Sequence, residues 1–145
     1  MYEDLSNYVE QQVQAATPAK LIDLLFCRAL RDLTQAVEQH RLDGDVRAQA
    51  ESIRLIVHAQ QIVVELDRSL DLRRGGELAK NLHRLYEYMQ FRLNEGIETR
   101  SPAHVAEVLA LLTDLHGGWA TVLQEESGGD GATAAAGKNA AFMVA

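Results

Sequence analysis

From Pro18 onward, apolar residues return every three or four positions: Ile22, Leu25, Ala29, Leu33 and Ala36. After Asp45 the rhythm resumes with Ile53, Ile56 or Val57, Gln60, Val63 and Leu70, with Leu66 beside it. A third run holds Leu78, Leu82, Leu85, Met89 and Leu93, and a fourth holds Val105, Val108, Leu112, Leu115, Trp119 and Val122. Steps of three and four trace one face of a helix; a half-buried strand would alternate by two. The punctuation agrees. Thr17-Pro18 and Ser101-Pro102 each pair a hydroxyl that can cap free N–H groups with a proline suited to the first helical position. Gly44 ends a helix, and Asp45 caps the next. The pattern predicts helices over 18–41, 46–71, 76–98 and 102–124, within a bundle spanning 17–125. Short connections make neighbouring helices run antiparallel, so the fold expected is all-α, an antiparallel up-and-down four-helix bundle about 30 to 40 Å long.

The two ends read differently. Residues 1–16 carry Tyr2, Leu5, Tyr8, Val9 and Val13, an amphipathic segment expected to pack on the bundle. Residues 126–145 are rich in glycine and alanine without periodicity, and are expected to form a disordered tail despite its apolar Phe142-Met143-Val144 end. Between the second and third helices stand Gly75 and Gly76. No strand precedes them and no Lys-Ser/Thr follows, so a phosphate-binding loop is excluded; a tight reversal is expected, with Glu77 favouring the start of the next helix.

Composition narrows the function. The 145 residues carry a net charge of −7, which disfavours a nucleic-acid partner. No signal-peptide pattern opens the chain and no apolar run is long enough for a membrane span, so a soluble, cytoplasmic protein is expected. Cys27 is the sole cysteine and reads as a free, partly buried thiol without an evident base partner. A di-metal carboxylate bundle needs Glu three residues before its histidines. The residues at that spacing from His40, His58, His83, His104 and His116 are Val37, Leu55, Lys80, Ser101 and Thr113. Neither a metal site nor a cofactor nor a catalytic residue is therefore expected, and the protein is read as a binder rather than an enzyme.

Apolar positions exceed one stripe per helix. Leu55, Ile62 and Leu66 accompany Ile56, Val63 and Leu70, while Tyr86 and Tyr88 accompany Leu85 and Met89. A groove for a partner helix would cover this surplus. A wide core stripe or a homodimer seam would do so equally, and a histidine phosphotransfer module using His58 or His83 is a further alternative.

Two long motifs narrow the choice. "ATPAKLIDLLFCRALRDL" (16–33) and "SLDLRRGGELAKNLHRLYEYMQFRL" (69–93) resemble the two signatures of the flagellar export chaperone family, FliS, in order and spacing. "AQQIVVEL" (59–66) and "EVLALLTDLHGGW" (107–119) fit as well, and the resemblance covers about residues 1 to 123. It implies a cytoplasmic chaperone that binds the disordered C-terminal segment of flagellin, prevents premature polymerisation and supports type III export, with an export-gate component as a conceivable second partner. The client-contact candidates it suggests are Tyr8, Ile56, Ile62, Val63, Leu66, Leu82, Leu85, Tyr86 and Met89, with core packing as the alternative for each. Charged substitutions at Ile62 or Tyr86 are then expected to weaken client binding without unfolding the chain. Cys27-Arg28 and Arg73-Arg74 depart from the family pattern.

Overall fold

The computed structural model describes residues 17–41 and 44–128, excluding the side chains at 122, 123 and 125–128. The expected N-terminal segment, with Tyr8, and the tail from 129 lie outside the described residues. Four helices follow one another: α1 (Pro18–His40), α2 (Val46–Arg68), α3 (Gly76–Thr99) and α4 (Pro102–Gly128). α1 packs extensively on α2 and α4, and α3 closes the ring with thinner seams to both.

The predicted starts hold at atomic detail. Thr17 Oγ1 accepts the Lys20 amide at 3.2 Å, and Asp45 Oδ1 accepts that of Arg47 at 2.9 Å. Each satisfies a donor that the first helical turn leaves free. Gly44 adopts φ 91° and Gly76 φ 55°, left-handed angles that glycine reaches without the clash a Cβ brings. In the α2–α3 connection, Asp71 Oδ1 accepts the amides of Arg73 and Arg74 at 3.1 and 3.0 Å, so a carboxylate organises the turn beside the glycines. α3 stops differently: Arg100, not a glycine, takes the left-handed angle at φ 53°, and the Ser101 amide closes back on the Gly96 carbonyl at 3.2 Å.

The core joins Phe26 and Leu33 of α1, Val63 and Leu66 of α2, Tyr86, Met89 and Leu93 of α3, and Val108, Leu112 and Trp119 of α4. α2 is rotated relative to its sequence reading. Leu55, Ile56, Ala59, Ile62, Val63 and Leu66 are buried, whereas Ile53 and Val57 each stand 40% exposed. The cause is polar. Buried Asp32 of α1 hydrogen-bonds His58, and Ser52 Oγ donates to the Ala36 carbonyl at 3.0 Å. These contacts turn the 52/55/59/62 side of α2 toward α1. α3 shifts likewise, burying Ala79 and Tyr86 and leaving Leu78 47% exposed. At Gly96 the helix passes so close to α4 that a Cβ would lie 3.0 Å from Val105 Cγ2.

One clamp on the α2–α3 seam depends on the protonation of a histidine. His83 Nδ1 lies 2.7 Å from Asp67 of α2, and Nε2 lies 2.5 Å from Glu87. Donating to both carboxylates requires the imidazolium, and the Asp67 hydrogen bond above all raises the His83 pKa. A raised pKa stabilises the fold fully below the unfolded value, and the contribution fades as pH rises through the folded one. Because His83 is substantially exposed, the effect on stability is small. Replacing Asp67 with Asn should lower the His83 titration midpoint in an NMR pH series; an unchanged midpoint would show that the pair does not form in solution.

Candidate functional site

The nine residues singled out from the sequence fall in three places. Tyr8 lies outside the described residues. Ile56, Ile62, Val63, Leu66, Leu82, Tyr86 and Met89 are all buried and face the shared core, and Leu85 is half-buried against it. In the free chain these side chains already have protein neighbours, so a ligand reaches them only at the margins of the seams.

What stays uncovered is a row that the same surplus of apolar residues produces one ridge further round. Ile53, Val57 and Val64 of α2 are 40%, 40% and 39% exposed and share one outward edge. From first to last they span about 16 Å, at about 1.5 Å per residue. The edge borders α3, since its neighbour Gln60 donates to Asn94 Oδ1 at 2.8 Å and Gln90 Nε2 reaches the Gln60 carbonyl at 2.8 Å. Gln60, placed in the apolar rhythm by its spacing, instead stitches two helices with amides. Beyond the row, the far end of the bundle carries Leu72 and Leu78, 50% and 47% exposed. On α3, Phe91 is the most exposed aromatic among the described residues, at 59%.

At its near end the row runs into a cavity of about 200 Å³ between the ends of all four helices. Ala36, Ile53, Ile56, Ile97 and Val105 give it apolar walls, and His40, Arg100 and Ser101 stand among its polar lining. A cleft of mixed lining at the ends of packed helices can take a side chain with an apolar body and a polar tip.

Cys27, read from the sequence as lacking an evident base partner, has one on the α1–α4 seam, where His116 Nε2 lies 3.7 Å from its Sγ. Cys27, expected to be partly buried, is exposed on α1 because its position turns away from Phe26 and Ala29, which fill the core. His58 and His83, the phosphotransfer candidates, each pair with a carboxylate across a helix seam. Among the described residues no helix is long and apolar enough to cross a membrane.

Residues 1–126 match the family model described as flagellar protein FliS. The flagellar secretion chaperone FliSB of Pseudomonas aeruginosa is 40% identical over 121 residues, covering 81% of this chain and 89% of that protein. The flagellar secretion chaperone FliS of Salmonella typhimurium is 34% identical over 122 residues, covering 82% and 86% respectively. The protein of that name from Bacillus subtilis is 29% identical over 119 residues, covering 82% and 85%.

Proposed function

The chain belongs to the flagellar protein FliS family, and on that premise we propose that it is a cytoplasmic secretion chaperone whose client is the C-terminal segment of flagellin. It acts by binding and not by catalysis. Covering that segment keeps flagellin from polymerising early and holds it ready for type III export.

The observation that carries this reading is the uncovered α2 row ending in a cavity of mixed apolar and polar lining. A segment that turns helical on contact presents apolar side chains every three or four residues, which matches the ridge of Ile53, Val57 and Val64. Such a client pays about 1–2 kcal/mol per residue to order its backbone, while burial returns roughly 25 cal/mol per Å² of apolar surface. A contact confined to three side chains does not balance that cost, so the client must extend. Leu72, exposed beyond the end of α2, offers further apolar surface, and Tyr8 would add a contact from the N-terminal segment. Ile56 meets the client through the cavity wall. Ile62, Val63, Leu66, Leu82, Tyr86 and Met89 hold the two helices that form the surface, and half-buried Leu85 packs behind them.

Calorimetric titration of the full chain with a flagellin C-terminal peptide tests the reading. Binding is expected for the wild type, and the double substitution Val57→Glu, Val64→Glu should weaken it at least tenfold with unchanged helical circular dichroism. Absence of binding by the wild type would refute the client. Full-strength binding by the double variant would instead move the client to another face.

A further inference from the structure

Away from the α2–α3 edge, three side chains of different chemistry meet on the α1–α4 seam. Asp23 and Cys27 lie four residues apart on α1 and so share a face, and His116 approaches from α4. His116 Nε2 is 2.8 Å from Asp23 Oδ1 and 3.7 Å from Cys27 Sγ, and the three ligand atoms all fall within 4.8 Å of one another. The other Asp23 oxygen accepts from Lys20 Nζ at 3.0 Å, which fixes the carboxylate, and Phe26 rests against the imidazole at 5.7 Å between ring centres. Among the described residues this is the only such group of three potential metal ligands.

We propose that Asp23, Cys27 and His116 form a binding site for zinc or a similar thiophilic divalent cation, clamping α1 to α4, with solvent at the fourth position. Zinc–ligand bonds of about 2.3 Å to sulfur and about 2.0 to 2.1 Å to nitrogen or oxygen, at tetrahedral angles, place sulfur and nitrogen about 3.6 Å apart and nitrogen and oxygen about 3.4 Å apart. The Cys27–His116 separation of 3.7 Å already matches the first distance. The Asp23–His116 hydrogen bond at 2.8 Å opens by about half an ångström to admit the ion, within the reach of side-chain rotation. On binding, the Cys27 thiol releases its proton to solvent, and the proton that His116 Nε2 donates to Asp23 also leaves to solvent, Nδ1 taking one up where it was bare, so that His116 coordinates through Nε2 as the neutral Nδ1–H tautomer. The thiolate and imidazole disfavour magnesium and calcium, which take oxygen ligands. Cys27 is exposed, so the site is open to entry and to a water ligand.

The competing account is that Asp23 and His116 form an ordinary interhelical pair with Cys27 as a bystander. Cobalt(II) separates the two when titrated into the reduced, chelator-treated full chain. The proposal expects one cobalt per chain, a near-ultraviolet thiolate-to-cobalt charge-transfer band, and displacement of that band by zinc. Trp119, the single tryptophan and one turn beyond His116, should lose emission as cobalt binds. Zinc should raise Tm, as any ligand of the native state does. Cys27→Ser should abolish the band, weaken zinc binding at least tenfold and remove the Tm rise, while keeping the helical spectrum, since position 27 faces solvent. Absence of the charge-transfer band would overturn the proposal. So would zinc binding by Cys27→Ser within threefold of the wild type, or a stoichiometry of one ion per two chains.

Discussion

Tyr86→Asp is expected to leave no stable bundle, and Ile62→Asp to behave the same way, rather than weakening client binding in a folded protein. Tyr86 is 1% exposed in the centre of the core and Ile62 is 6% exposed on the face that α2 turns inward. Aspartate at either position either buries an unpaired charge or drags its helix off the core, and it discards most of the apolar volume. Together these cost more than about 4 kcal/mol, a large share of the roughly 5–15 kcal/mol that holds a domain folded. Far-UV circular dichroism and urea denaturation of the purified variants provide the check; a wild-type helical signal and midpoint for Tyr86→Asp would place that side chain at the surface. Tyr86→Phe isolates the hydroxyl. That oxygen is buried with no hydrogen-bond partner among the described residues, and burial holds the phenol well above its ordinary pKa. Removing it should therefore be neutral or stabilise the chain by up to about 1 kcal/mol.

The contrast with Val57→Glu shows where sequence patterning stops. The helices were readable because caps and breakers act locally: Thr17, Pro18, Gly44 and Asp45 need only their immediate neighbours to do their work. On α4 the residues expected to face inward, Val105, Val108, Leu112 and Trp119, are all buried, and Leu109, Leu111 and Leu115 beside them also pack against the core, so a wide apolar surface left little room for a wrong choice of face. On α2 the apolar residues spread around most of the circumference. Which of two adjacent ridges turns inward then depends on neighbours far away in the chain, here the Asp32–His58 and Ser52–Ala36 contacts. The ridge formed by Leu55 and Ile62 won, and the row of Ile53, Val57 and Val64 was left outside. A surplus of apolar surface was legible; its location was not. The Asp23, Cys27 and His116 cluster was less legible still, because no spacing rule joins residues 93 positions apart across a bundle.

Trp119→Ala is expected to cost about 3–5 kcal/mol, the range for emptying a fully buried aromatic site. Trp119 is 2% exposed, and its indole N–H donates to the Ala19 carbonyl at 3.2 Å, so one side chain fastens the later part of α4 to the first turn of α1. That first turn is also where Thr17 caps the helix. Trp119→Phe keeps much of the apolar contact and should lose less, about 1 kcal/mol for the hydrogen bond plus a contribution from the missing ring. Urea midpoints for the two variants give the order directly, and equal midpoints would show that volume is irrelevant at this position. The loss should not stay at the α4 end. α1 is the helix against which both α2 and α4 pack most extensively, so loosening its start weakens the framework that fixes the rotation of α2. Client binding should consequently fall in Trp119→Ala in proportion to the unfolded fraction and recover when the temperature is lowered toward maximum stability. For the charged α2-edge variants the deficit should persist at every temperature at which the bundle is folded, because there the contact surface itself has been changed.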